Sequence, residues 1–276
     1  MKKYLPIFFS VVMFLVSCAK EPTTLPGLVS ATFTVSADGA PVKGVGDATL
    51  ADQLTVLAYD KAGNYLDFIN FTCTQTGQGT FTATARLVRG QEYTLLFFAQ
   101  KSGSYMLGND GTVTFPAVCA TSDASRDAFY AVKEVSAGET TESSVALKRP
   151  FALLRFVSSQ ADQNVAWEEH RLNGIRSQVA LDKMPQKMNL LTGAVEGSVQ
   201  FGFSEADAST SQEIAFVFIP AGETKTYIKA TVTVTAGSFM SVRRIANIPV
   251  QRNRQTKIEG DFLTTEGTLD ITLENN

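Results

Sequence analysis

Apolar and polar residues alternate along much of this chain, and the alternation predicts β-strands. The clearest period-two runs are residues 31–36, 81–87, 228–234 and 269–273. A period of two places apolar side chains on one face of a sheet and polar side chains on the other. Threonine is frequent at the polar positions, as strand propensity favours.

Continuous apolar runs and short turn signals complete the predicted architecture. Residues 93–99 and 214–219 are apolar almost throughout and predict central strands covered on both faces. Only residues 161–169 and a turn near residues 176–181 have helical character. Turn signals separate the strands at residues 38–39, 62–64, 109–111 and 221–222. Many short strands between frequent turns predict an all-β protein built from antiparallel β-sandwiches.

The segment Lys148-Arg149-Pro150 divides the predicted strands into two groups. Proline cannot donate to a hydrogen-bond ladder and is disfavoured inside a central strand. Enough strand lies on each side for a separate sandwich. We therefore expect an N-terminal β-sandwich over residues 29–149 and a C-terminal β-sandwich over residues 150–276.

The first residues have the features of a lipoprotein signal peptide. Two lysines precede an apolar run that ends in Leu15-Val16-Ser17-Cys18. The run is shorter than the about 20 residues of a membrane span and suits a secretory signal. A cysteine directly after the small residue can carry diacylglycerol on its sulfur, although an ordinary signal with a chance cysteine is the alternative. We expect a signal peptide over residues 1–17, a lipid on Cys18, and a tether over residues 18–28.

The net charge and the cysteine content limit the classes of partner and the covalent links that we expect for this chain. The formal net charge is −3 and the chain has no basic tail, so nucleic acid is not an expected partner. The lipid on Cys18 is the expected membrane attachment. Cys73 and Cys119 are then the two remaining cysteines. In an oxidising compartment they can form a disulfide, or they can be two separate buried thiols.

Residue patterns for catalysis or metal binding are nearly absent. His170 is the single histidine, and it lies in a charged segment beside Trp167. No nucleophile elbow and no zinc or calcium spacing is present, so we expect no enzyme activity, no metal and no cofactor besides the lipid. Trp167 and Tyr105 are the aromatic residues that we consider for sugar contacts, whereas most phenylalanines fit the core.

The two ends of the chain are candidates for pairing with another molecule. An edge strand presents unpaired backbone groups, which an extended segment of another chain can satisfy. The last predicted strand alternates with Leu269, Ile271 and Leu273 on one face, which suits a donor strand. Residues 29–36 form an early strand before a loop rich in Gly and Ala. The alternative is that both ends pair within their own domains.

Several segments together resemble the fimbrillin-type surface lipoproteins of Bacteroidales, the subunits of type V pili. More closely, the chain resembles a related uncharacterised family of two-domain fimbrillin-like proteins. The matching segments are residues 54–60 with Gly63, 91–100, 125–130, 147–152, 247–260 and 262–264. The resemblance implies two tandem transthyretin-like sandwiches, export to the outer membrane and assembly by strand exchange. The sequence Cys18-Ala19-Lys20-Glu21 also resembles the signal that places such lipoproteins on the cell surface.

The chain departs from the polymerising members of this family in one respect. Those subunits are usually cut by an arginine-specific protease, which removes the lipidated end with the first strand. No arginine occurs between Cys18 and Arg86, and Lys43 is the only basic residue suitably placed for such a cut. We therefore expect a fimbrial or adhesion subunit, with an anchor or accessory role favoured. Its partners would be other fimbrial subunits or ligands on host or bacterial surfaces. The alternative is a glycan-binding surface lipoprotein of a polysaccharide-uptake system.

Overall fold

The computed structural model describes residues 27–37, 50–138, 141–158, 174–207, 213–263 and 267–274. Twenty strands and one turn of 3-10 helix, Ala124–Arg126, make up its regular structure. The predicted all-β class is confirmed. The strands before residue 150 are β1 Leu28–Ser36, β2 Gln53–Tyr59, β3 Thr72–Gly77, β4 Thr80–Val88, β5 Glu92–Gln100, β6 Met106–Leu107, β7 Thr112–Thr114, β8 Val118–Ala120, β9 Ala128–Ser136 and β10 Thr141–Ala146. The later strands are β11 Phe151–Ser158, β12 Arg176–Met184, β13 Lys187–Asn189, β14 Val195–Glu196, β15 Val199–Asp207, β16 Glu213–Pro220, β17 Thr226–Ala236, β18 Phe239–Val250, β19 Gln255–Gly260 and β20 Leu269–Glu274.

The first sandwich packs the sheet β10-β1-β4-β3 against the sheet β2-β5-β9. Its core forms because alternate residues of β1 and β4 point inward, and Phe33 and Phe81 are fully buried there. The Phe33 and Phe97 rings meet edge to face at 5.4 Å across the two sheets. Alternation along the strands thus builds this core.

The second sandwich packs the sheet β18-β17-β12-β15-β8 against the sheet β16-β11-β19-β20. β17 has the predicted alternation, and its inward residues Val232 and Val234 are fully buried. They share one apolar cluster with Phe156 and Ile258 of the facing sheet. The residues buried on folding therefore follow the period-two pattern here as well.

β5 is buried on both faces, which explains its continuous apolar sequence. Leu95 and Phe97 belong to the core of the first sandwich, whereas Leu96 and Phe98 belong to the apolar cluster of the second. The sheet β2-β5-β9 is therefore shared between the two cores. The prediction of a covered central strand over residues 93–99 is confirmed.

β16 is also buried on both faces, but it lies at the end of its hydrogen-bonded sheet rather than at the centre. Side chains and a loop cover its outer edge. Ser122 donates its backbone N–H to the Phe216 carbonyl at 2.6 Å, and the Ser177 hydroxyl donates to the Ile214 carbonyl. Covering an edge in this way satisfies its backbone groups without another strand.

Strands from both sides of residue 150 pair with each other. β8 pairs in parallel with β15, and β7 pairs antiparallel with β13. β7 and β13 belong to a small sheet ordered β14-β13-β7-β6. The expected boundary between residues 149 and 150 stays a prediction, and these pairings show that contacts cross it.

The expected helical turn near residues 176–181 is wrong, because these residues begin β12. Ser177, Val179 and Leu181 are fully buried while Arg176 and Gln178 are exposed, which is the period of a strand. β12 lies between β15 and β17 and pairs with both. Long-range pairing therefore outweighs the weak local preference. The other helical expectation, residues 161–169, lies outside the described residues.

An ion pair holds the junction of the two sandwiches. Arg149 donates from Nε to Asp127 Oδ1 and from Nη2 to Asp127 Oδ2, both at 2.6 Å. The guanidinium carbon lies 5.3 Å from the Phe129 ring centre and 5.9 Å from that of Phe218. Since Phe129 is on β9 and Phe218 on β16, Arg149 connects the two halves of the chain.

Candidate assembly edges and inter-sandwich groove

The predicted donor strand is β20, and in this structure it pairs within its own sandwich. Leu269, Ile271 and Leu273 lie opposite residues of β19, and all three are half-buried. Gln255 also donates from Nε2 to Glu274 Oε2 at 2.6 Å. β20 is the last strand of its sheet, so it covers the outer edge of β19. In this structure, the C-terminal strand therefore pairs within its own domain, which is the alternative to donation.

β1 lies inside its sheet. It pairs in parallel with β10 through residues 31–36 and antiparallel with β4 through residues 28–36. The side chains of its own residues Phe33 and Val35 are fully buried in the core of the first sandwich. Removal of β1 would therefore leave a gap between β4 and β10. Cys18 and Lys43, the predicted lipidation and processing positions, lie outside the described residues, as do Trp167 and His170.

The two sandwiches share a pairing scheme around their first strands. β1 lies between parallel β10 and antiparallel β4, and β11 lies between parallel β19 and antiparallel β16. β19 then has β20 on its other side. In the described part of the chain, no strand occupies the corresponding side of β10. The outer edge of β10 is thus the counterpart of the edge that β20 covers.

A lysine lies over the edge of β10. Lys133 of β9 donates from Nζ to the Ser144 carbonyl at 3.0 Å and also donates to the Ser143 hydroxyl. A lysine across an open edge discourages unwanted pairing, because an incoming strand must displace a hydrated charge. Lys133 can therefore control access to β10.

The structure places Cys73 and Cys119 apart, as free cysteines. Cys73 is on β3 and packs against the first core, whereas Cys119 is on β8 and packs against the second. Burial raises the pKa of each thiol to about 11, since a thiolate is poorly solvated there. Of the two alternatives, the chain as described has two separate thiols.

Tyr105 belongs to the core and is not available for a sugar contact. Its ring lies 5.2 Å from the Phe115 ring and 5.0 Å from the Phe151 ring. Its hydroxyl donates to the Arg126 carbonyl at 2.7 Å. Burial raises the pKa of Tyr105 well above its ordinary value, because the phenolate form would be desolvated.

A groove of about 920 Å³ lies between the two sandwiches. We call it the inter-sandwich groove and define it by Tyr130, Lys148, Lys183, Glu223, Tyr227 and Arg252. Its volume lies within the range of small-molecule sites. The β9 side is fixed by two backbone hydrogen bonds between Tyr130 and Lys148, of 2.8 and 2.9 Å. The Lys148 ammonium lies 5.5 Å from the Tyr130 ring centre.

Arg252 forms the floor of the inter-sandwich groove. It donates to the carbonyls of Ala221 at 3.1 Å and Gly193 at 2.5 Å, and to the Tyr130 hydroxyl at 3.3 Å. Gly193 has φ +74°, and a Cβ atom there would lie 2.8 Å from Arg252 Nη1. Glycine at this position therefore permits the guanidinium to pack against the backbone.

Lys183 and Tyr227 form the rim of the inter-sandwich groove. Lys183 has φ +57° and lies where the β12–β15 register shifts between Leu181 and Met184. Such an irregularity redirects a side chain out of the sheet's regular alternation. Tyr227 is 60% exposed at the start of β17. Periodicity does not indicate the register shift, whereas a tyrosine directly before the alternating run 228–234 is a sequence signal for this rim.

The described residues hold no group of three or more His, Cys, Asp or Glu that could bind a metal ion. Within the same residues, no helix is long and apolar enough to cross a bilayer. Among the described residues, β10 has an edge without a strand partner, and the inter-sandwich groove is a cavity between the two sandwiches.

Comparison with solved structures defines the class of fold. A candidate cell adhesion protein from Bacteroides ovatus aligns with TM-score 0.51 and 13% identity over 90% of this chain and 96% of its own. A candidate cell adhesion protein from Bacteroides uniformis has TM-score 0.52 and 11% identity, with 90% and 96% covered. A candidate polysaccharide-binding protein from Bacteroides thetaiotaomicron has TM-score 0.53 and 10% identity, with 89% and 95% covered. This chain has the β-rich, adhesin-like fold of these proteins.

The chain belongs to the family of unknown function DUF6562, whose model matches residues 22–276. No curated protein matches it by sequence. The expected resemblance to surface proteins of Bacteroidales is confirmed at the level of the fold, and the expected uncharacterised family agrees with DUF6562. Whether the two sandwiches have the transthyretin-like arrangement stays a prediction.

Proposed function

We propose that this protein is a structural or adhesion subunit of a cell-surface fimbria that joins its neighbours by β-strand donation. Lipid on Cys18 would hold it in the outer membrane. Its partners would be other fimbrial subunits and ligands on host or bacterial surfaces. The candidate adhesion proteins that share the fold support this assignment. The absence of arginine between Cys18 and Arg86 favours an uncut anchor or accessory role.

The observation that carries the proposal is the difference between the two matching edges. β20 covers the outer side of β19, while the outer side of β10 has no strand in the described part of the chain. β20 is also well suited to leave its place, because it is an edge strand of six residues with half-buried apolar side chains. A β20 strand from a second subunit can therefore occupy β10 as it occupies β19.

A peptide of residues 267–276 with a photo-crosslinker at Thr272 tests strand donation on the whole chain. We expect crosslinks to residues 141–146 of β10. The variant Lys133→Thr should increase crosslinking, since it uncovers the edge, while Lys229→Thr on the exposed face of β17 should not. Ile271→Asp in the peptide should abolish it, because a charge would meet the apolar side.

Two results would count against strand donation. Crosslinks confined to residues 255–260 would mean that the peptide only replaces β20 in its own sandwich. Equal binding of the Ile271→Asp peptide would mean that the alternating face is not recognised. Neither result would bear on the alternative function, glycan binding, which rests on the inter-sandwich groove.

Glycan binding is a second candidate function, favoured by the inter-sandwich groove and its exposed Tyr227. The protein would then be a glycan-binding surface lipoprotein that serves polysaccharide uptake. A candidate polysaccharide-binding protein has the same fold. Removal of all glycan binding by Tyr227→Ala, with β10 crosslinking intact, would separate this function from strand donation.

A further inference from the structure

The buried charge of Arg252 has no buried anion beside it among the residues that the structure describes. Its side chain is 4% exposed, and its carboxylate partner within the described residues is Glu223, at 3.4 Å and 72% exposed. Its other hydrogen-bond acceptors among the described residues, two carbonyls and a hydroxyl, are neutral. A carboxylate in water screens a buried cation weakly, so the inter-sandwich groove keeps an excess of positive charge.

Arg149 provides a comparison within the same chain. Its side chain and that of Asp127 are 1% and 2% exposed, and the two form a two-point ion pair. That buried arginine is neutralised by a buried carboxylate, as buried charges generally are. Arg252 is therefore a buried cation whose countercharge, unlike that of Arg149, is exposed to solvent.

Lysines add to the charge of the inter-sandwich groove. Lys148 shares Glu223 with Arg252, at 3.8 Å. Lys183 makes no ion pair with any described residue, and its positive φ is costly for a side chain other than glycine or asparagine. The lining thus contains three cations and one carboxylate. Lys183 is exposed, so its ammonium adds to the positive charge at the rim of the groove.

Hydroxyl groups and an aromatic ring surround these cations. Tyr130, Tyr227, Thr224 and Thr226 all line the groove. Hydroxyl groups both donate and accept, which suits a ligand rich in hydroxyls. Tyr227 is 60% exposed, and the Lys225 ammonium lies 5.6 Å from its ring centre, so its apolar ring lies beside a further cation. This combination fits the alternating apolar and hydroxyl faces of a sugar better than a flat or purely anionic ligand.

We infer that the inter-sandwich groove binds an acidic saccharide, with its carboxylate held by Arg252, Lys148 and Lys183 and a sugar ring lying on Tyr227. This inference deepens the second candidate function and is independent of strand donation. It names the ligand class as an oligosaccharide that contains uronic or sialic acid.

The test is a glycan array on the whole chain, in which each uronic- or sialic-acid oligosaccharide is paired with its carboxyl-reduced counterpart. We expect binding to acidic members and at least about tenfold weaker binding to their reduced counterparts, because the charge-assisted hydrogen bonds are lost. Binding should also weaken as salt rises from about 50 to about 500 mM.

Lys183→Gly is the sharpest variant, because glycine adopts positive φ without strain. We expect affinity for the best acidic glycan to fall by about fivefold or more, while the melting temperature holds or rises. Asn247→Gly is the matched control, since Asn247 also has φ +58° but does not line the groove. It should leave affinity unchanged. Tyr227→Ala should weaken binding, whereas Phe68→Ala, an equally exposed aromatic in the first sandwich, should not.

Each contrary result has a distinct meaning. Equal binding of acidic and reduced glycans would overturn the acidic class and leave glycan binding standing. Equal binding of tricarballylate, a tricarboxylate without sugar rings, would overturn the saccharide assignment. No glycan binding at all would overturn both this inference and the second candidate function, while β10 crosslinking would still decide strand donation.

Discussion

Arg149 donates two hydrogen bonds of 2.6 Å to Asp127 at the point where the chain passes from the first sandwich to the second. The pair is buried between Phe129 of β9 and Phe218 of β16. Arg149 belongs to the segment 147–152, one of those that carry the family resemblance. Its place in the structure gives that segment a physical role in joining the two halves.

Loss of either partner of this pair should destabilise the chain strongly. Arg149→Ala or Asp127→Asn leaves a buried charge uncompensated, and we expect the free energy of unfolding to fall by about 3–5 kcal/mol. Urea denaturation followed by circular dichroism measures it. The exposed Lys61–Glu92 pair is the control, and Lys61→Ala should leave the unfolding midpoint nearly unchanged. Similar effects of the two variants would contradict the assigned role of Arg149.

The thiols of Cys73 and Cys119 should react slowly at neutral pH. Burial raises the pKa of both to about 11, so the reactive thiolate is about two orders of magnitude scarcer at pH 8 than for an exposed thiol near 8.5. Alkylation of a Cys18→Ser variant should accelerate about tenfold per pH unit up to about pH 10. The same protein in urea should react readily at pH 8. A fast reaction of the folded variant at that pH would contradict the burial of these thiols.

The same shift has a consequence for stability. The folded state holds the two thiol protons more tightly than the unfolded state. The unfolded chain therefore loses protons first, and stability should decline as pH rises from about 8.5 to about 11. A Cys73→Ala/Cys119→Ala variant in the same background should show less of this decline.

Gly111 should tolerate alanine poorly. It has φ +77°, and an added Cβ would lie 2.9 Å from Leu191 Cγ and 3.3 Å from Leu96 Cδ2. Gly103 has φ +80° with open space around it. Gly103→Ala should cost about 1–2 kcal/mol for conformation alone, and Gly111→Ala about 1–3 kcal/mol more for crowding. Urea midpoints at an unchanged m-value measure the difference. Equal costs would mean that the small sheet does not pack closely on β5.

Sequence periodicity predicts the strands of this fold well, but it does not predict their neighbours. The alternation over residues 228–234 and the apolar run over residues 93–99 correspond to buried positions of β17 and β5. The equally apolar run over residues 214–219 forms an edge strand, whose outer carbonyls accept hydrogen bonds from Ser122 and Ser177 rather than from another strand. Periodicity predicts which side chains are buried. It does not predict which backbone or side-chain groups form hydrogen bonds with the edge of a strand.

The candidate functional regions are only partly predictable from the sequence. Leu269, Ile271 and Leu273 were predicted as one strand face, and they are. The inter-sandwich groove was missed, since its residues come from loops and strand ends far apart in the chain. Lys183 in particular depends on a register shift, which arises only when β12 and β15 pair.

N-terminal mapping and intact mass of the protein from its native cell envelope test the central proposal most directly. We predict a chain that begins at diacylated Cys18, lies in the outer membrane and co-purifies with sheared surface fibres. A chain that begins after Lys43 within those fibres would contradict the anchor role and indicate a cleaved shaft or tip subunit. An unmodified chain free in the periplasm would contradict the surface-fimbria account as a whole.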